Sequence, residues 1–185
     1  SVLLASLPVG ALVAAMFARG WRSLTVAVLT CLPWVVAGFA ASSPGTSSVA
    51  GAAAFAPRAE GHVGTLGALL GLGGIWNGQA VPPSRAAGWA LFGIALFALL
   101  ALGWRAVPRR WLALAWVGFA LAVASWTGLT APIVSHVPGA GLLRDGQKWL
   151  ILAIPAFVAA AGALEPRRAL AAAAFAVLQV PDAPV

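Results

Sequence analysis

Arg144, Asp145 and Lys148 place three charges within five residues, directly before Trp149 and with the Gln147 amide among them. On a helical turn Arg144 and Lys148 are four apart and share a face, while Asp145 and Lys148 are three apart and can pair. Two cations and an amide on one turn suit a phosphate or pyrophosphate, because a guanidinium holds two oxygens at once. The plainer reading of the same cluster is a helix end anchored by long basic side chains. A second group lies upstream, with Arg58, Glu60 and His62 followed by Arg85. A transfer reaction on a hydroxyl needs a carboxylate to take its proton and positive charge to stabilise a departing phosphate. Glu60 and Asp145 are therefore the candidate catalytic bases, and Asp145 is also placed to pair with Arg144 or Lys148. Arg144, Lys148, Gln147, Arg58 and Arg85 are the candidate phosphate contacts.

Other chemistries find less support. His62 and His136 stand 74 residues apart without a carboxylate pattern, so solvated or internally satisfied imidazoles are expected rather than metal ligands. Cys31 is the single cysteine, which rules out a disulfide framework within the chain and a cysteine metal site. A divalent metal requirement is not visible in the sequence. No glycine-rich phosphate loop between strand and helix and no serine nucleophile elbow is present, so soluble nucleotide chemistry has no basis.

The elements that must position these residues are read from composition. Of 185 residues, 62% are apolar and 8% charged, against roughly a quarter charged in ordinary globular chains. The sequence therefore predicts an all-α, polytopic transmembrane helix bundle of about six spans, each needing roughly 20 apolar residues. The apolar runs lie at about 2–18, 23–41, 86–103, 111–130, 149–164 and 169–180, with Pro33 and Pro155 inside two of them. The chain begins within the first run, which is expected of a fragment of a longer protein.

The net charge of +7 does not point to nucleic acid, because the basic residues sit in short connections rather than on one face. Arg19 and Arg22, then Arg105, Arg109 and Arg110, then Arg167 and Arg168 follow the first, third and fifth runs, seven of eleven basic residues. By the positive-inside rule these connections are expected to be cytoplasmic, and the long ones at 42–85 and 131–148 to lie on the outer side of the membrane, a bacterial plasma membrane if the resemblance given below holds. Trp21, Trp104, Trp111 and Trp149 at run ends fit headgroup anchoring. Within 42–85, residues 63–75 are uncharged with five glycines, too short to span and expected to be re-entrant or interfacial. Gly67 and Gly71 have the spacing of a close helix contact.

The segment His136-Val-Pro138-Gly139 followed by Arg144-Asp145-Gly146-Gln147-Lys148-Trp149 resembles a signature of GT-C-like polytopic membrane glycosyltransferases, the actinobacterial arabinofuranosyltransferase group and related membrane proteins. The Ala, Arg and Trp bias and the Gly73-Gly74-Ile75-Trp76-Asn77 stretch are similar to that group too, whereas Gly146 stands where its members often have proline. The resemblance covers about residues 55–149. It implies transfer of a sugar from a polyprenyl-phosphate donor on the outer face to a cell-envelope glycan acceptor, with membrane lipid as a partner and further catalytic groups outside this chain. A transporter or flippase, or a non-catalytic membrane assembly subunit, are the alternatives. The absence of charge inside the six runs weighs against an ion-coupled carrier.

Overall fold

The computed structural model describes residues 48–137 and 140–182, together with positions 21, 22, 25, 26, 28, 29, 32, 33 and 36. The chain divides into two compact units, Ser1–Gly45 and Thr46–Val185. The described positions of the first unit are helical. The apolar run at 2–18 lies outside the described residues, as does most of 23–41.

Among the described residues the second unit holds seven α-helices, in chain order α1 Val49–Ala54, α2 Gly64–Leu70, α3 Leu91–Ala101, α4 Arg109–Trp126, α5 Ala131–His136, α6 Ile154–Gly162 and α7 Pro166–Leu178. Shorter pieces connect them, including a π-helical turn at Arg85–Trp89 and 3-10 helices at Ala140–Arg144 and Gly146–Ala153. α4 is the spine. Leu114, Ala115, Gly118, Ala122 and Ser125 are buried along it at helical spacing, and the 3-10 helix Gly146–Ala153 and α6 pack against it. α3 packs between α7 and α2. The core gathers Leu96, Leu100, Val107, Ala153, Ala156 and Ala160, and a second cluster joins Leu69, Ala122 and Leu150.

The expectation of a membrane-spanning bundle is overturned. Among the described residues no helix is long and apolar enough to cross a membrane. The reason is local in each of the four described runs. The run at 86–103 is broken at Gly88, whose φ of 113° is not helical, so α3 begins only at Leu91. Its 11 residues rise about 16 Å against a hydrocarbon core of about 30 Å. The run at 111–130 becomes α4, which starts with Arg109 and Arg110 and ends at Trp126. Gly128 then turns the chain with φ 79°. The apolar part of α4 from Trp111 rises about 24 Å. The run at 149–164 is split, because the chain is 3-10 helical to Ala153 and turns α-helical at Ile154. Pro155 sits in the first turn of α6, where its missing N–H costs no hydrogen bond. The last run becomes α7, 13 residues that include Arg167 and Arg168.

The localisation read from those runs is corrected with them. Without a spanning helix among the described residues, the alternation of arginines assigns no cytoplasmic or outer face to 42–85 or 131–148, and the reading of integral placement in a plasma membrane is withdrawn. Residues 63–75 are neither re-entrant nor flat. They form α2 and a tight return turn, with Gly67, Ala68 and Leu69 buried, and a Cβ built on Gly71 would meet the Gly93 backbone at 3.0 Å. Many apolar side chains remain outside the core, Trp116 and Leu170 among them.

The carboxyl-terminal end of α7 is tied back to the start of the π-turn. The Ser84 backbone N–H donates to Asp182 Oδ2 at 2.9 Å, and its hydroxyl donates to Oδ1. These bonds hold the Asp182 carboxyl below the ordinary aspartate range, the hydroxyl contributing most. A carboxylate whose folded pKa is depressed stabilises the fold above its unfolded pKa and loses that contribution as pH falls through the folded one. The Ser84–Asp182 contact is therefore expected to hold at neutral pH and to release below pH of about 4. Following the Ser84 amide resonance through an acid titration tests this, and Asp182→Asn is expected to remove the transition.

Candidate functional site

Two polar clusters emerge, one sealed and one partly open. The sealed cluster joins residues 25 apart in the chain. Glu60 and Arg85 are 3% and 5% exposed, and Arg85 Nε donates to Glu60 Oε2 at 2.5 Å. Glu60 Oε1 accepts from the backbone N–H of Gly74 at 2.6 Å and of Ile75 at 2.9 Å. Arg85 Nη1 donates to Gln179 Oε1 at 3.1 Å, and Nη2 is buried without a protein partner. The turn after α2 makes this possible. Gly74 has φ 90°, and a Cβ on Gly73 would lie 2.3 Å from Arg85 Nη2 and 2.4 Å from Glu60 Oε2. Only glycine lets the backbone close over the ion pair.

Both oxygens of Glu60 are thus occupied, and Arg85 is spent on Glu60 and Gln179. Their geometry is that of a latch joining the α2 turn, the π-turn and α7. Arg58 stands apart, with an exposed side chain and its backbone N–H donating to the Gly74 carbonyl at 3.2 Å.

The second cluster surrounds the residues that sequence spacing singled out. Arg144 closes the 3-10 helix Ala140–Arg144, and Asp145 precedes the 3-10 helix Gly146–Ala153. An eight-residue 3-10 helix is uncommonly long and has poorer hydrogen-bond geometry than α. It is held by packing, since the Ser125 hydroxyl donates to the Arg144 carbonyl at 3.0 Å and Leu150 is buried beside Ala122. Lys148 Nζ lies 2.6 Å from Asp145 Oδ2. Asp145 is 4% exposed, and its Oδ1 and the Trp149 Nε1 are buried without protein partners. They are an acceptor without a donor and a donor without an acceptor, each able to take one further hydrogen bond.

The Arg144 guanidinium carbon stands 4.2 Å from the centre of the Phe55 ring, and Phe55 lies 4.3 Å from Trp76 with the planes tilted by 54°. Stacking occupies a face of the guanidinium and leaves its in-plane N–H edge for a bidentate anion. Among the described residues that edge takes no hydrogen bond, and Gln147, three residues on, is half-buried. Phe55 arrives because α1 packs on α5 and on the 3-10 helix Ala140–Arg144. The two long connections therefore meet at Arg144.

The structure pairs Lys148 with Asp145, sets Arg144 against Phe55, and joins Glu60 with Arg85 in another place. His136 is turned inward on its own helix, its Nδ1 2.8 Å from the Pro132 carbonyl and 3.0 Å from the Ser135 hydroxyl. Among the described residues no group of three or more His, Cys, Asp or Glu side chains gathers for a metal. Sequence reasoning missed Gln179 as an Arg85 partner and Ser125 as the Arg144 tether. It also read Trp149 as a headgroup anchor, whereas its indole N–H is enclosed. The 94 residues between Arg85 and Gln179 leave no local signal for that contact.

Fold and site together define an all-helical unit with a sealed ion-pair latch and a separate arginine–carboxylate–indole turn. Comparison with known protein families, curated proteins and solved structures gave no match.

Proposed function

We propose that this chain supplies the donor-phosphate and acceptor-hydroxyl site of a glycosyltransferase that uses a sugar linked to polyprenyl phosphate. One observation carries the reading. A guanidinium stacked on Phe55 with its N–H edge free stands next in sequence to a buried carboxylate oxygen that lacks a partner. The likeness of the Arg144-to-Trp149 segment to GT-C-like glycosyltransferases supports the same assignment.

In the proposed step the bond between the anomeric carbon and the donor phosphate breaks, and the phosphate leaves with the electron pair against Arg144. The acceptor hydroxyl oxygen forms the new bond to that carbon, and its proton passes to Asp145 Oδ1. Lys148, on the other carboxylate oxygen, orients Asp145 before the transfer. Glu60 is not the base in this scheme, because both its oxygens are engaged.

General-base catalysis contributes about 10²–10⁴ in rate. With a labelled polyprenyl-phosphate sugar, Asp145→Asn is expected to lower kcat by at least about a hundredfold with KM for the donor little changed. Arg144→Ala is expected to raise KM as well, with partial recovery in Arg144→Lys. Full transfer by Asp145→Asn, with an intact helical circular-dichroism spectrum, overturns the assignment. Absence of transfer by the wild type would instead favour a transporter or assembly role.

A further inference from the structure

A cleft of about 380 Å³ lies among α2, α3, α4 and α6. Its walls include Leu69, Phe97, Leu100, Phe119, Phe157 and Ala160, and the indoles of Trp104 and Trp116 are the nearest thing to a polar group in it. No charged, hydroxyl or amide side chain lines it. An apolar cavity of about 150 Å³ stays dry and takes a benzene. A space more than twice that size has room for on the order of a dozen hydrocarbon carbons. The cleft is long, since its α4 wall runs from Leu112 to Val123 and so extends about 16 Å.

Charge marks one end of it. Trp104, Val107 and Leu112 line the cleft, and Arg105, Arg109 and Arg110 alternate with them along the chain. All three arginines are exposed. Among the described residues the ion pairs are Arg85 with Glu60, Lys148 with Asp145 and Arg168 with Glu165, so none of the three meets a carboxylate. Arg110 lies over the Trp111 ring at 5.1 Å. A hydrocarbon cleft whose lining alternates along the chain with three exposed arginines that meet no described carboxylate is complementary to an anionic amphiphile. A polar ligand would leave its hydrogen bonds unmade on these walls, and a neutral hydrocarbon would make no use of the arginines.

We infer that this cleft binds a single-chain anionic amphiphile, its hydrocarbon tail among α2, α3, α4 and α6 and its carboxylate or phosphate head on Arg105, Arg109 and Arg110. The site is separate from Arg144 and independent of the transferase reading.

The test is calorimetric titration of the whole chain with dodecyl phosphate, dodecanoate, dodecanol and inorganic phosphate, each below its aggregation concentration. The two anionic amphiphiles are expected to bind one to one, and their order of affinity distinguishes a phosphate head from a carboxylate. Dodecanol and inorganic phosphate are expected to bind at least tenfold more weakly. Shortening the alkyl chain is expected to weaken binding about fourfold per methylene. Ala101→Phe, which fills the cleft from an exposed wall position, is expected to abolish binding. The triple variant Arg105→Gln, Arg109→Gln, Arg110→Gln is expected to weaken dodecyl phosphate at least tenfold and to leave dodecanol unchanged. Equal binding of dodecanol and dodecyl phosphate, or unaltered binding by Ala101→Phe, overturns the inference. Loss of dodecyl phosphate binding in Arg144→Ala but not in the triple variant also overturns it and moves the head to Arg144.

Discussion

Glu60→Ala is expected to lower the free energy of unfolding by about 3–5 kcal/mol, the cost of removing one partner from a buried ion pair. Glu60 and Arg85 are both almost wholly enclosed, so solvent does not screen the loss. The substitution also strips the Gly74 and Ile75 amides of their acceptor, and each buried orphan costs about 1–3 kcal/mol where water does not reach it. Arg85 already has one nitrogen, Nη2, without a partner, so its remaining charge would have only Gln179 to meet. Glu60→Gln keeps an acceptor for the amides and isolates the charge effect, and is expected to be intermediate. Replacing both members, as in Glu60→Leu with Arg85→Met, is expected to recover much of the loss, because apolar pairs often match buried ion pairs in stability. Urea unfolding of these proteins, with Glu60→Leu and Arg85→Met alone added to complete a double-mutant cycle, measures the effects. A Glu60→Ala protein within about 1 kcal/mol of wild type would show that the latch does not hold the fold.

Leu150→Ala is expected to cost about 2–5 kcal/mol, the range for a buried leucine whose cavity cannot fully collapse. Leu150 is 2% exposed and packs with Leu69 and Ala122. Its position gives the loss a second consequence. The 3-10 helix Gly146–Ala153 has weak internal hydrogen bonding and depends on α4 for its shape. Loosening it at Leu150 is expected to free Lys148 and Trp149 along with the backbone. Hydrogen exchange should therefore rise across 146–153 before it rises in α4. Uniform exchange across both segments would mean that the 3-10 helix carries its own stability.

Legibility in the sequence followed distance along the chain. The Asp145–Lys148 pair was readable because residues three apart on a helical turn are neighbours whatever else the chain does. The kink at Gly88 was not readable, since a glycine inside an apolar run is tolerated in many helices and only the packing of Arg85 on Glu60 shows why the chain turns there. Pro155 was seen, but as a kink within a span rather than as the point where a 3-10 helix gives way to α6. Composition misled for a physical reason. A chain that is 62% apolar satisfies a hydropathy window wherever charges are sparse, yet crossing a bilayer also needs an unbroken helical ladder of about 30 Å.

The sequence by itself determined the apolar runs, the arginine clusters between them and the adjacency of Arg144, Asp145 and Lys148, because each depends only on neighbours within a turn or two. Tertiary structure alone decided which carboxylate oxygens take partners. It placed Glu60 against two amides and Arg85, left Asp145 Oδ1 without a protein partner, and carried Phe55 beneath Arg144 from about ninety residues away. Burial and hydrogen bonding to distant segments set those outcomes, and no local pattern of residues encodes which distant segment arrives.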